Sequence, residues 1–492
     1  MIAALAGCGA DGGTDGGPTP ADGGGGDCDA EGVPISGEIG ADATWSCPLY
    51  VLEGQVFVTD GATLTIDAGT EVLGETGGST AAALLVTRGS QLVANGTAEA
   101  PIVFTSGNPV GARATGDWAG VALLGAATTN DGECVEGSGD ACDGGFLQDR
   151  IEGIDPADPR GVYGGTNDSD SCGSLRYVRI EFAGRELSPD NELNGLTVGG
   201  CGSGTTLSHI QVHRGKDDGV EFFGGTASLD HVIISGASDD SLDFDEGWRG
   251  NGQFIVIHQF PGIGDRGIEA DNFGSNELAT PTTRPNLWNV TMIGTTENQV
   301  ALFREGMQGV MGNFLITTFG TPIDVNASVA NPNAAWPADF SLSYSVLHDV
   351  GEFPAEDMSL SEFWAEADMM AGGTLDDAVP ENLRALTRAL DDADMTPEQA
   401  DRISDLLKSR LDDDFGFDES ARLRDADNTF DIDPQITASA TAPNYVPGHT
   451  ALPTGTTPSF TGDFGDTTAT FVGAIDPAGS DWTAGWTAYP EN

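Results

Sequence analysis

Short apolar–polar alternations recur through the middle of this chain at intervals close to 22 residues, and that spacing restricts the fold more than any other feature. Residues 207–212, 229–234 and 251–256 begin 22 positions apart, and 287–292 and 311–316 continue the series after insertions, with 176–180 ahead of it. Each segment carries apolar residues at alternate positions, the pattern of a half-buried strand. A second strand repeats between them at 194–198, 219–222, 241–244, 267–270 and 299–302. Two strands and two turns in about 22 residues are too few for a propeller blade, which needs ~40, and fit one coil of a parallel β-solenoid.

In such a solenoid, equivalent residues of successive coils stack about 4.8 Å apart. His209, His231, Gln253, Asn289 and Asn313 each precede the first inward apolar residue of their strand. They predict a column of imidazole and amide groups at a turn, hydrogen-bonded to backbone, which gives the histidines a structural rather than catalytic or metal-binding role. Upstream, strands are expected at 51–58, 62–66, 82–86, 91–93 and 101–104, broken by Asp60-Gly61 and Asn95-Gly96 turns. The 70 glycines among 492 residues follow no Gly-X-Y period and suit many tight turns.

The formal charge of −57 excludes nucleic acid as a partner, since such a surface repels phosphate backbones. Lys216 and Lys408 are the only lysines, a composition suited to salty water. Leu5-Ala6-Gly7-Cys8 resembles the bacterial lipobox, in which the cysteine is lipidated, so residues 1–8 read as the end of a signal segment without its basic n-region. Residues 9–30 are a Gly/Asp-rich tether, and Gly9 after the cysteine favours the outer membrane, with the chain lipid-anchored there through Cys8. No later segment approaches the ~20 apolar residues of a membrane span. With Cys8 set aside, Cys28, Cys47, Cys134, Cys142, Cys172 and Cys201 form an even set, which in an exported protein implies disulfides. Pairing of sequence neighbours gives Cys28–Cys47, Cys134–Cys142 and Cys172–Cys201, one arrangement among the 15 that are combinatorially open.

Several stretches carry a family resemblance: Tyr50-Val51-Leu52-Glu53-Gly54, Leu64-Thr65-Ile66-Asp67-Ala68-Gly69-Thr70, Gly116-Asp117-Trp118-Ala119-Gly120, Tyr163-Gly164-Gly165-Thr166-Asn167-Asp168, residues 175–182, 194–200 and 217–225, and Trp482-Thr483-Ala484-Gly485-Trp486-Thr487. Together they resemble surface or outer-membrane lipoproteins of Bacteroidetes and myxobacteria-like Gram-negative bacteria. The resemblance spans roughly 45–350 and 430–490. It implies an all-β, right-handed parallel β-helix of the pectin-lyase type, and it implies no reaction and no catalytic residues.

The expected organisation is therefore a solenoid over 31–350, a helical insertion over 351–425 and a capping segment over 426–492. In the insertion, Leu383, Leu386 and Leu390, then Ala400, Ile403, Leu407 and Leu411, fall at helical spacing, and Thr396-Pro397-Glu398-Gln399 is a helix start. Residues 471–486 are expected to return to the sheet and cover the last coil, with Trp482 and Trp486 as plugs.

The candidate site is an acidic ladder. Asp217-Asp218, Asp239-Asp240 and Asp265-Arg266 occupy one turn position in three coils, and Glu221, Asp243 and Glu269 alternate with Val220, Leu242 and Ile268 in the strands that follow. With the aliphatics inward, the three acids form an outward row. Ordinary Asp-Asp-Gly turn chemistry accounts for part of this pattern. Calcium, held by Asp217, Asp218, Asp239, Asp240, Asp243 and Asp265, would offset the repulsion; so would ion pairs from Arg249, Arg266 and Arg304. A catalytic reading would use Glu221, Asp243, Glu269, Arg249 and Arg266 as a polysaccharide lyase or glycoside hydrolase does, but no Gly-His-Gly or Arg-Ile-Lys of the polygalacturonase type is present. The leading expectation is a non-enzymatic surface lipoprotein that binds or adheres to a glycan or surface protein through an acidic, calcium-loaded face. A carbohydrate-active enzyme using the same face and a passive structural envelope protein are the alternatives.

Overall fold

Alternating apolar side chains stack rung upon rung into one long hydrophobic column, and three sheets wrap it. The computed structural model describes residue 28 and residues 30–492, apart from 79, 138–141, 143–144, 186–192, 326–339, 352–418 and 450. Among the described residues, 25 strands form a continuous parallel system. By their pairing they divide into three sheets that the chain visits in turn. The first sheet stacks residues 178–181, 210–213, 232–235, 255–258 and 290–293. The second stacks Leu196–Gly199, Val220–Phe223, Leu242–Asp245, Arg266–Ala270, Gln299–Phe303 and Thr321–Val325. The third stacks 173–176, 206–208, 228–230, 251–253 and 286–288. The architecture is the parallel β-helix expected from the 22-residue period.

The chain leaves the third sheet and enters the first through a single residue in the left-handed region. Tyr177, His209, His231, Phe254, Asn289, Asn313 and Tyr344 hold this position with φ between 49° and 59°. The predicted column is thus present, with two corrections. His209 and His231 meet side chains rather than backbone, Ser208 Oγ at 2.9 Å and Asp230 Oδ1 at 2.7 Å. Asp230 pairs with Gln253 and Val232 with Ile255, so Phe254, not Gln253, stands over His231. The turn from Asp245 to Asn251 is one residue longer than the equivalent turn from Phe223 to Ser228, and this slips the following strand by one. His209 and His231 stack with ring centres 4.5 Å apart and planes 10° from parallel, as a structural column requires.

Residues 431–492 do not cap the last coil. They run back along the flank as a strap over the outer face of the first sheet, where Ile233, Val256 and Ile293 pack with Tyr445, Ile475 and Trp486. Amide side chains of the solenoid clamp the strap backbone in paired bonds: Gln211 with Ala488 at 2.7 and 3.0 Å, Gln253 with Asp466 at 3.0 and 2.7 Å, and Asn313 with Thr456 at 2.8 Å in both directions. Trp482 and Trp486 lie against the stacked histidines instead of plugging an end. At the N-terminal end Trp45 stacks on Tyr50 beside the Cys28–Cys47 bridge. At the other end, Leu423 of the helix Glu419–Asp425 enters the main core. The rest of the expected helical insertion lies outside the described residues, as does Cys8. The described cysteines pair as Cys28–Cys47, Cys134–Cys142 and Cys172–Cys201. Among the described residues no helix is long and apolar enough to cross a membrane.

Burial holds the strap-facing histidines in the neutral form. His213 is pushed down to about 3, and His209 and His258 to about 4. His213 Nε2 meets the Pro490 carbonyl at 2.9 Å and His258 Nδ1 the Tyr445 hydroxyl at 3.1 Å. A histidine pKa lowered on folding contributes stability that is complete above its unfolded value of about 6.5 and is lost as pH falls toward the folded value. Hydrogen exchange in the strap is therefore expected to rise as pH drops from about 6.5 to about 4, after correction for the intrinsic rate. Trp486→Ala should cost about 3–5 kcal/mol of stability, read from a denaturant melt, because Trp486 is only 1% exposed.

Candidate functional site

The outward positions of the second sheet change chemistry along the solenoid. In the early coils they are Phe57, Leu85, Ala122 and Leu124, and Ile151, Ile154, Tyr163 and Leu193 pack over them. Two of these covering residues, Ile151 and Ile154, lie between the second and third strands of a small antiparallel sheet of Glu133–Glu136, Gly145–Arg150 and Val162–Tyr163, to which Tyr163 belongs. Gly199 makes room for Tyr163, since a Cβ there would lie 2.9 Å from its ring. Beyond this cover the same positions turn acidic. Glu221 pairs with Asp243 and Asp243 with Glu269, while Val220, Leu242 and Ile268 point into the core. The predicted row exists, and Leu302 ends it one rung on.

The row is more enclosed than a flat outer surface would be. Glu221 is 8% exposed, and Asn194 Nδ2 donates a short hydrogen bond to its Oε2. The turn ahead of the strands is stitched by a side-chain ladder: Asp218 N donates to Asn194 Oδ1, Asp240 N to Asp218 Oδ1 at 2.8 Å, and Arg266 N to Asp240 Oδ1 at 2.6 Å. The ladder explains why Asn, Asp and Asp recur at this position, and it aims the remaining carboxylate oxygens toward the row.

The six acids expected to hold calcium do not form one site. They divide into Asp217, Asp218 and Asp239; Asp239, Asp240 and Asp265; and Asp218 and Asp243, which are joined by Glu221. Within each group the ligand oxygens lie within 4.8 Å of one another. Asp217 and Asp265 stand two coils apart, about 9.6 Å at the strand spacing, too far to share an ion. Among the described residues the third group is the most enclosed, and Asp243 Oδ1 in it is sealed from solvent without a hydrogen-bond partner.

The arginines sort to one end. Arg266 reaches Asp265 at 2.8 Å and both Asp240 and Glu269 at 3.4 Å, and Arg304 reaches Asp271 at 2.5 Å and Glu269 at 2.9 Å. The bond to Asp271, against the opposing effect of burial, holds Arg304 firmly protonated. Arg249 takes no part in the row; it binds Asp168 at 3.0 Å and Thr128 at 2.6 Å. The Glu269 end is thus charge-balanced and the Glu221–Asp243 end is not. Burial, and then the Asp243 charge, raises Asp218 and Glu221 well above the usual carboxylate range; burial and Glu269 do the same to Asp243. Asp240 is pushed up to about 8 by burial and Glu269, against the pull of Arg266. A hard divalent cation with oxygen ligands matches this donor set.

Sequence reasoning placed Asp245 and Glu246 near the row but missed the cover that lies over them. Asp245 and Glu246, next to Asp243, are raised in the same way by burial, and Tyr163 donates to the Glu246 carboxylate at 2.8–2.9 Å. The available signal was the Tyr163-Gly164-Gly165-Thr166-Asn167-Asp168 stretch: its Tyr163 and Asp168 both reach the coil turn that carries Glu246 and Arg249.

The three-sheet solenoid, with the outer face of its second sheet lined by acids, defines the class as a parallel β-helix. The family model described as a pectate-lyase-like β-helix domain matches residues 37–370, and the chain belongs to that family. Neither the curated proteins nor the solved structures give a match.

A raised carboxylate pKa contributes stability that is complete below its unfolded value, 3.8 for Asp240, and is lost as pH rises through the folded value. The cation-free melting temperature should therefore fall as pH is raised from about 7 to about 9. Asp243→Asn, which removes an unpaired buried charge, should raise cation-free stability at pH 8 by at least about 1 kcal/mol in a denaturant melt.

Proposed function

We propose that this protein is an exported, lipid-anchored binding protein of the outer membrane, tethered through Cys8, and that its acidic groove takes up calcium and presents it to a glycan or a surface protein. Calcium held by Asp218, Glu221 and Asp243 would keep ligand positions open for anionic or hydroxyl oxygens, which is how a strongly negative surface can attract a polyanionic glycan. The reading rests on one observation: three carboxylates converge within 4.8 Å around an oxygen that has no partner, at the end of the row that no arginine among the described residues balances. Binding is favoured over catalysis because the two arginines beside the row are engaged by carboxylates, which leaves neither as a base.

Calcium at about 100 times its Kd should stabilise the protein by about 2.7 kcal/mol. Glu221→Gln should remove the share of that gain that comes from Asp218, Glu221 and Asp243 while leaving the cation-free fold intact. A panel of polysaccharides screened with and without calcium should show calcium-dependent retention and no new reducing ends. Reducing ends or products absorbing near 235 nm would replace this reading with a polysaccharide-cleaving enzyme. A melt that EDTA does not alter, together with no retention, would leave a passive envelope protein.

A further inference from the structure

A second set of acids lies under the cover, apart from the groove triad. Asp131 follows the strand Gly120–Leu124, Asp149 sits on Gly145–Arg150, and Glu246 lies in the coil turn that is one residue longer than its neighbour. Their ligand oxygens lie within 4.8 Å of one another, although up to 115 positions of sequence separate them. Asp245, the next outward residue after Asp243, faces Glu246 and Asp131.

Two oxygens point to a ligand here. Asp245 Oδ1 is sealed from solvent and has no hydrogen-bond partner. Asn130 is 4% exposed, and its backbone N–H bonds the Glu246 carbonyl at 2.9 Å. Its Nδ2 is spent on Asn272 at 2.7 Å and Pro281 at 2.9 Å, and its Oδ1, turned away from those partners, is buried without a donor. Asp131 Oδ1 accepts from the Gly132 N–H at 2.5 Å and Asp149 Oδ1 from the Arg150 N–H at 2.7 Å, so the sealed Asp245 Oδ1 and the second oxygens of these carboxylates make up the donor set offered to a hard cation. Arg150 lies near Asp149, and Tyr163 donates to Glu246; a single guanidinium and one phenol do not balance four acids.

We infer that Asp131, Asp149, Asp245 and Glu246 bind a second divalent cation of the calcium class, which fastens the antiparallel cover to the solenoid. This cation has a structural task distinct from the groove ion. It ties the loop after Leu124, the cover strand and the coil turn into one unit, and so fixes the wall beside Glu221 and Asp243.

Terbium in place of calcium tests the inference on the full chain after chelator treatment. Tyr163, hydrogen-bonded to Glu246, should sensitise terbium emission, and Asp149→Asn should reduce that emission at least about tenfold. Hydrogen exchange across residues 145–163 should slow when calcium is added to the wild type. Asp149→Asn should abolish that slowing, and Asp243→Asn should preserve it. Asp131→Asn provides the same comparison should Asp149→Asn fold poorly. Calcium without effect on exchange in the wild type, or terbium emission unchanged by both cover variants, would overturn the inference. Acidification that gives full protection with no cation uptake would also overturn it, because protons alone would then satisfy the cluster. Loss of the calcium response in Glu221→Gln alone bears only on the groove, so the two sites fail separately.

Discussion

In-register stacking of parallel strands, about 4.8 Å apart, is the constraint on which the rest of this molecule depends. It places Leu242 on Val220 and Ile268 on Leu242 in the core, and by the same geometry it places Asp243 on Glu221 and Glu269 on Asp243 outside. Two unit charges at that spacing repel by roughly 1 kcal/mol in water and about 3.5 kcal/mol at an effective dielectric near 20. The fold cannot relax this repulsion by sliding one coil past another, since a slip of one residue would turn Val220, Leu242 and Ile268 out of the core. Repulsion has to be met locally, by arginine, by protons or by a cation. Among the described residues, arginine meets it at Glu269 and does not reach Glu221.

What could be read in the sequence follows from locality along the stack. The period exposed the coils, the alternation gave the facing of the acids, and the repeated Asp-Asp pairs marked the turn, because each of these depends on residues one coil apart. The slip at Phe254 escaped because a repeat aligned by pattern alone does not register one extra residue in a Gly-rich turn. The cover and the strap escaped for a different reason. Ile154 lies against the second sheet, and Trp486 lies 277 or more residues from the histidine and tyrosine it packs on; neither segment has a period of its own. Their apolar residues have no regular spacing because they fit an existing surface rather than build a lattice.

The two irregular segments answer the same physical problem. A solenoid buries its inward side chains but leaves outward ones to solvent, and here the outward positions of the first sheet include Ile233, Val256 and Ile293, and those of the second include Phe57 and Leu85. Exposed apolar stripes of that length promote association. The strap removes one stripe and the cover removes the other, each anchored by hydrogen bonds from solenoid side chains: Gln211, Gln253 and Asn313 for the strap, Arg249 and Glu246 for the cover. The third sheet keeps mostly polar outward residues and is covered in part by Ser459 and Thr461 of the strap.

The acidic row begins where the cover ends, and this placement bears on the proposed function. Outward positions of a β-helix contribute little to its core, so their chemistry can change from rung to rung without altering the coil. Phe57, Leu85 and Ala122 become Thr197, Glu221, Asp243 and Glu269 within one sheet, while the inward neighbours stay apolar throughout. A change this abrupt has no architectural cause, because an apolar run would have been covered as the earlier one is. Buried carboxylates in register, without cations at one end, cost stability that a structural wall does not need. They are intelligible as a surface kept for something that supplies the missing positive charge.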